Sequence, residues 1–160
     1  MDKCIYRKTV EKWCVFEVTV EGRSDKNPFV DYYIKGVFQG KNERVEVDGF
    51  YDGEGLYKVR FMPSFAGDYS FKIYGNFSDK AFSGNFTVTP ASGNNHGLVR
   101  VANTYHFAYE DGTPYYPIGT TCYVWTHQKP ELQEKTLATL KKSVFNKIRF
   151  CIYPQLYLAL

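Results

Sequence analysis

Residues 117–128, PIGTTCYVWTHQ, begin as an apolar segment and end in a cluster of polar and aromatic side chains. An apolar run of this length, flanked by turn residues, predicts a buried strand. The Thr, Trp, His and Gln that close the segment combine ring faces with hydrogen-bonding groups, as the linings of sugar and small-molecule pockets do. The segment therefore predicts a strand that ends at the rim of a binding pocket.

The motifs that a small self-contained enzyme would need are absent from the sequence. It has no GxSxG, no HExxH and no glycine-rich phosphate loop. The carboxylates of Glu110 and Asp111 fall in a predicted hairpin turn, and those of Glu131 and Glu134 fall in the first turns of a predicted helix. In these settings, exposure to solvent and interaction with the helix dipole are sufficient roles for the four carboxylates. We therefore predict no catalytic residue in these 160 residues, and a small α+β enzyme is the least favoured interpretation.

Apolar and polar residues alternate with a period of two from residue 12 to residue 89, which is typical of half-buried strands. The clearest case is KWCVFEVTV, in which one predicted inward face holds Cys14, Phe16, Val18 and Val20. Six or seven such segments, separated by turn signals, predict an immunoglobulin- or fibronectin-like β-sandwich. Tyr69, which follows Gly67 and Asp68, predicts a tyrosine corner; the alternative is an ordinary core aromatic.

The pattern changes after Pro90. Residues 91–103 are small and polar and predict a linker, and Asp111–Gly112 predicts the turn of a β-hairpin. The apolar strand of residues 117–125 then precedes a helix at 129–146 and a strand at 147–153 that we expect to be buried on both faces. This order predicts one βαβ unit with parallel strands.

The predicted domains are therefore a sandwich at 1–90, a linker at 91–103 and a mixed unit at 104–160. The predicted helix carries an apolar stripe formed by Leu132, Leu137, Leu140 and Val144. Asn146 is its predicted C-terminal cap.

Composition limits the classes of partner. The net charge is +3, and the charges are intermixed without a basic block, so we predict no nucleic-acid binding. No apolar run reaches the roughly 18 residues of a membrane helix, and no signal sequence is visible, which predicts a cytoplasmic protein without membrane contact. The cysteines at 4, 14, 122 and 151 lack metal-site spacing, so we expect buried thiols, no metal and no cofactor.

A resemblance to a known family is carried by six segments. Four resemble the immunoglobulin-like N-terminal domain of unknown function that precedes bacterial glycoside hydrolase barrels: NPF (27–29), GFYDGEGLYKVRFMP (49–63), GDYSF (67–71) and NHG (95–97). Two resemble the start of the (β/α)8 catalytic barrel: DGTPYYPIGTTCYVWTH (111–127) and FNKIRFCIYP (145–154). The resemblance implies a bacterial origin and a truncated barrel start after the sandwich.

The resemblance also implies substrate contacts at the C-terminal ends of the first two barrel strands. Trp125 would stack on a sugar ring, and His127 would hydrogen-bond a hydroxyl. Arg149 would hold the catalytic nucleophile in its ionised form, and Tyr153 would lie at the same rim. The alternatives are a core Trp, a surface His and an Arg at a strand edge.

The catalytic carboxylates of such a barrel would come from its fourth and seventh strands. A full barrel needs about 250 residues, whereas only residues 104–160 would belong to it. The predicted function is therefore the N-terminal portion of a carbohydrate-cleaving glycoside hydrolase, catalytically incomplete by itself. The alternative is a non-enzymatic immunoglobulin-like module that binds glycan or protein through Phe50, Tyr51 and Tyr57.

Two further expectations concern the end of the sequence. The open edge of a two-stranded parallel sheet predicts self-association into a homo-oligomer. The last residues, QLYLAL, depart from the polar loop that follows the second strand in the barrel family.

Overall fold

The computed structural model describes residues 4–152 and divides the chain into two compact units. The first unit extends to Arg100 and includes Tyr109–Thr113. The second comprises Val101–Ala108 and the residues from Pro114 onwards. Most of the predicted linker and the tip of the predicted hairpin are thus part of the first unit.

Between Cys4 and Thr89, nine strands of the first unit form two sheets. In chain order they are β1 Cys4–Tyr6, β2 Thr9–Glu11, β3 Phe16–Glu21, β4 Ile34–Gln39, β5 Arg44–Asp48, β6 Phe50–Gly53, β7 Leu56–Phe61, β8 Gly67–Gly75 and β9 Phe82–Thr89. One sheet has the order β1-β3-β7-β6 and the other β2-β9-β8-β4-β5. The β2–β9 pair is parallel, and the other strand pairs of these sheets are antiparallel.

The two sheets pack face to face around an aromatic core. Phe16 of β3 stacks on Phe86 of β9 with ring centroids 3.7 Å apart, and Phe38 of β4 stacks on Phe61 of β7 at 4.5 Å. Each pair joins one sheet to the other, and each of these rings is at most 5% exposed. The chain is therefore mainly β, with a core that alternating strands produce by turning every second side chain inward.

The predicted inward face of β3 is confirmed at Phe16, Val18 and Val20, which are buried. Cys14 is exposed, because β3 begins two residues later, so its predicted burial is wrong. The alternation read from residue 30 onwards also fails at first. Val30 is 77% exposed, since it lies in a turn that precedes β4.

Tyr69 of β8 has the contacts of a tyrosine corner. Its ring is 3% exposed, and its hydroxyl lies 3.1 Å from the carbonyl oxygen of Phe65, four residues upstream. The same hydroxyl lies 2.5 Å from Glu43 Oε1, the closer acceptor for its single proton. Burial, together with this carboxylate, raises the pKa of Tyr69. Tyr69 thus links the β8 strand to two loops.

Side-chain hydrogen bonds hold the predicted linker on the first unit. The carboxylate of Glu11 accepts from Ser92 N and Oγ and from Asn95 Nδ2 at 2.8–3.0 Å. His96 Nδ1 lies 2.7 Å from Asp111 Oδ2, and Arg100 Nε donates to Glu110 Oε1 at 2.6 Å. The hairpin tip is thereby attached through two polar pairs.

The contact between His96 and Asp111 predicts that the stability of the folded first unit depends on pH. Hydrogen bonds from His96, and from the backbone N–H of Thr113, lower the pKa of Asp111 from 3.8 to about 2. Because the folded pKa lies below the unfolded one, the stabilisation is complete above about pH 4 and is lost as the pH falls toward 2. NMR titration of the Asp111 carboxyl should show this low midpoint, and His96→Ala should return it toward 3.8. An unchanged midpoint in His96→Ala would contradict the assigned cause.

The remaining elements are short. They are β10 Val99–Ala102, β11 His106–Tyr109, β12 Pro114–Tyr115, β13 Gly119–Thr121, a 3-10 helix Trp125–His127, α1 Pro130–Leu140 and β14 Lys147–Arg149. β10, β11 and β12 form one sheet, in which β11 and β12 are the antiparallel arms of the hairpin predicted at Asp111–Gly112. Gly112 has φ +87°, a conformation that favours glycine.

β13 and β14 form the predicted parallel pair, with Thr120 opposite Ile148. The helix between them is shorter than predicted, since it ends at Leu140 and leaves Val144 76% exposed beyond it. Asn146 does not cap the helix. Its side chain accepts from Ile118 N at 2.9 Å and donates to the Tyr116 carbonyl at 2.8 Å, and so joins the two strands' N-terminal ends.

The expected burial of the second unit is wrong. None of its described residues is buried, and Ile152, predicted on a fully covered strand, is 85% exposed. Cys122 and Cys151 are half-buried rather than buried, since both follow strands of three residues. Burial requires a second layer, and residues 4–152 do not supply one here. No helix in this part of the chain has the length and hydropathy of a membrane span.

Candidate functional site

The candidate site lies where β13 and β14 end. Parallel strands place their C-terminal ends at the same edge of a sheet, and hydrogen bonds continue beyond the strands. Cys122 N donates to the Arg149 carbonyl at 2.8 Å, and Cys151 N donates to the Tyr123 carbonyl at 2.9 Å. Thr126 Oγ1 donates to the Cys151 carbonyl at 3.3 Å. The segments after the two strands are therefore joined.

Trp125 lies on the 3-10 helix and not on the strand where it was predicted. Its Nε1 donates to the Gln133 carbonyl of α1 at 3.2 Å, and its ring meets that of Phe150 edge to face at 5.3 Å. The indole is half-buried and packs between the helix and the segment after β14. It is neither a buried core residue nor a fully open stacking face.

His127 ends the same 3-10 helix and is half-buried. Its Nδ1 lies 3.2 Å from Thr126 Oγ1. Gln133 Nε2 donates to the Gln128 carbonyl at 2.7 Å, which ties the turn after His127 to α1. The imidazole therefore lies on a short segment that hydrogen bonds at Trp125 and Gln128 attach to α1.

Arg149 is the last residue of β14, and its side chain is exposed. Its guanidinium carbon lies 5.6 Å from the centroid of the Tyr123 ring, a cation–π contact. Within residues 4–152 no carboxylate forms an ion pair with it. A role beside a nucleophile would need a carboxylate from outside this range. The remaining predicted contact, Tyr153, lies outside the described residues.

Among residues 4–152, the strand ends thus carry a cation, an imidazole, hydroxyls and rings, but no acid pair. The acids considered in the sequence have other partners or positions: Glu110 pairs with Arg100, Asp111 with His96, and Glu131 lies in the first turn of α1. No group of three His, Cys, Asp or Glu residues in the described range could hold a metal ion. Such an edge can orient a polar ligand but lacks the carboxylates of glycoside hydrolysis.

Sequence reasoning missed the residues that support this edge. The sequence predicts Tyr123 within a strand, but it lies in the turn after β13 and faces Arg149. In the sequence, Gln133 is only one of several polar residues of the predicted helix. In the structure its carbonyl accepts from Trp125 Nε1, and its side chain donates to the Gln128 carbonyl. A signal for Gln133 was its position one turn into the helix, where side chains reach back to preceding backbone groups.

The alternative surface on the first unit is not formed as predicted. Tyr57 is 1% exposed, and its hydroxyl donates to the Arg23 carbonyl at 2.6 Å. Phe50 lies under Arg60, whose guanidinium carbon is 5.0 Å from its ring centroid. Phe50 and Tyr51 are neighbours on β6 and so point to opposite sides. The three rings do not share one exposed face.

Comparison with known proteins shows a family match and a strong structural similarity. A family model described as a domain of unknown function (DUF5060) matches residues 9–76, within the first unit. The crystal structure of a "putative glycoside hydrolase" from Bacteroides vulgatus ATCC 8482 aligns with 92% of this chain at 42% identity, with a TM-score of 0.87. The alignment covers 29% of that protein, so this chain spans less than a third of its length.

A further similarity to a solved structure is weak. An endo-β-1,4-mannanase from Thermotoga petrophila aligns with 57% of this chain and 20% of its own at 16% identity and a TM-score of 0.33, which carries no argument. No curated protein matches. Because the Bacteroides alignment covers 92% of the chain, it includes most of the second unit as well as the first. The chain is therefore similar, in sequence and in fold, to a part of a longer protein.

Proposed function

We propose that this chain is part of a glycoside hydrolase, in which an immunoglobulin-like sandwich precedes the first βαβ unit of a (β/α)8 barrel. The observation that carries the proposal is the 42% identity with the Bacteroides protein over 92% of the chain. At that identity over both units, a shared role in a longer hydrolase is the simplest account of the similarity.

The parallel pair β13–β14 supports the barrel assignment, because barrels are built from parallel strands whose C-terminal ends carry the active site. In the proposed barrel, Trp125 and His127 contact the carbohydrate from the first strand. Arg149 and Tyr153 contact it, or its nucleophile, from the second. Their side chains bind and orient substrate, and the two catalytic carboxylates come from strands outside residues 4–152.

The proposal predicts that residues 1–160 contain no catalytic acid pair and hydrolyse no glycoside. The test is to read the coding DNA after codon 160 in all frames and to express the longest product that continues with βα repeats. That product and the 160-residue chain are then assayed on a panel of aryl glycosides and polysaccharides. We expect hydrolysis by the longer product and none above the blank by the shorter.

Two results would overturn the proposal. One is turnover by the 160-residue chain that survives successive purification steps. The other is an absence of further βα repeats in every frame. In the longer product, Arg149→Gln should lower kcat, whereas Arg44→Gln, on the edge strand β5 of the first unit, should leave it unchanged.

A further inference from the structure

An open cavity of about 570 Å³ lies on the first unit, beside the point where the chain leaves β1 in one sheet and enters β2 in the other. Pockets for small ligands commonly measure roughly 300–1,000 Å³. The side chains relevant to binding are Ile5, Arg7, Val15, Glu17, Thr19 and Arg60. We propose that this cavity binds a carboxylated sugar of the uronic acid type.

Positive charge in the cavity is only partly neutralised. Arg7 is exposed, and its side chain has no ion pair or hydrogen bond with another residue of the described range. Arg60 Nε donates to Glu17 Oε2 at 2.7 Å, and Lys58 Nζ lies 3.7 Å from the other oxygen of that carboxylate. Lys58 is closer to Asp52 Oδ2, at 2.6 Å, so Glu17 pairs chiefly with Arg60. Arg7 remains available for an anion.

Guanidinium groups suit a carboxylate in particular. A guanidinium has five N–H donors in a planar fork that matches the two oxygens of a carboxylate. Arg60 uses its Nε on Glu17 and lies over the Phe50 ring, and within the described residues its terminal nitrogens make no hydrogen bond. Arg7 and Arg60 line the same cavity, so both can contact one bound anion.

The remaining lining suits a sugar ring. Ile5 and Val15 are 49% and 54% exposed, which leaves apolar surface beside polar groups in the cavity. The C–H face of a pyranose can cover that surface. Thr19 supplies a hydroxyl, and Glu17 supplies a carboxylate that accepts hydrogen bonds from sugar hydroxyls. A simple inorganic anion would use the cations but not the apolar wall.

This site is separate from the proposed hydrolase activity, because every one of its residues belongs to the first unit and none lies at the β13–β14 edge. It would hold an acidic glycan without cleaving it. Loss of one proposal therefore leaves the other standing.

The test is an NMR titration of the ¹⁵N-labelled chain at neutral pH with methyl glucuronide and, separately, with methyl glucoside. The two sugars differ in the carboxylate. We expect saturable shifts of the amides around Arg7 and Glu17 with the glucuronide and at least about tenfold weaker binding of the glucoside, since a hydrogen bond to a charged group accounts for about that factor.

Matched variants assign the effect to the cavity. Arg7→Gln should weaken glucuronide binding about tenfold or more, and Arg7→Lys should give a smaller loss because it keeps the charge but not the fork. Arg44→Gln, the same change on β5 of the other sheet, should bind as the unmodified chain does. Unshifted core signals show that each variant is folded.

Several results would overturn the proposal. Equal binding of the two sugars would exclude recognition of the carboxylate. Equal losses in Arg7→Gln and Arg44→Gln would exclude this cavity, as would shifts confined to other residues or no saturation with glucuronide. Displacement of the glucuronide by an equal concentration of inorganic phosphate would show a general anion site and not a sugar site.

Discussion

Replacing Phe38 with alanine is expected to lower the free energy of unfolding of the first unit by about 3–5 kcal/mol. The ring is 0% exposed and lies at the centre of the interface between the sheets. It stacks on Phe61 at 4.5 Å and meets Phe16 edge to face at 6.0 Å. Removing the ring leaves a cavity. Because β4 is hydrogen-bonded to β8 on one side and to β5 on the other, the strands cannot move together to close it.

This loss is a large fraction of the total free energy of unfolding, which is only about 5–15 kcal/mol for small domains. The control is Phe29→Ala, which removes the same side chain where it is 76% exposed. Phe29 meets the ring of Tyr51 at 5.2 Å, so a loss of up to about 1 kcal/mol is expected there.

Urea titration followed through the signals of core methyl groups measures both variants. Those signals report the first unit alone, which avoids treating a two-unit chain as a single two-state system. Equal losses in the two variants would show that the sheets do not depend on this ring, and the core assignment would then be wrong.

The inner face of β3 could be predicted from the sequence, because a strand with one buried face repeats every second residue. The same pattern did not reveal β1 or β2, which are three residues long and too short to show a period. The parallel pairing of β2 with β9 joins residues almost 80 positions apart, at Thr9 and Thr87, and local sequence carries no signal for it. The cavity at Arg7 depends on that crossing and could not be predicted either.

At the candidate site, the order of the elements could be predicted from the sequence, but the position of a key side chain could not. The parallel pair and the helix between its strands were predictable from the order of apolar segments. The position of Trp125 was not, because a 3-10 helix of three residues follows a strand that stops at Thr121. Apolar residues such as Ile152 identify a face that can be buried, but whether another layer covers that face is not written in the local pattern.

The uncovered second unit should exchange its amide hydrogens much faster than the first. We expect amides of β8 to exchange at least about 100-fold more slowly than those of α1, since local opening of a segment with few buried contacts costs several kcal/mol less than opening a core strand. β8 contributes Tyr69, Phe71 and Ile73 to the core, whereas α1 has no buried residue. Hydrogen exchange followed by NMR measures both in one sample.

The same experiment tests the predicted self-association. If the apolar side of α1 and the open edge of β14 are covered by a second copy, protection of α1 must rise with protein concentration, because association stabilises by mass action. Leu137→Ala, which trims a side chain that is 42% exposed on α1, should then lower that protection and leave β8 unchanged. Protection of α1 equal to that of β8 at every concentration would mean that the second unit is as stable as the core of the first, against the burial that its residues show.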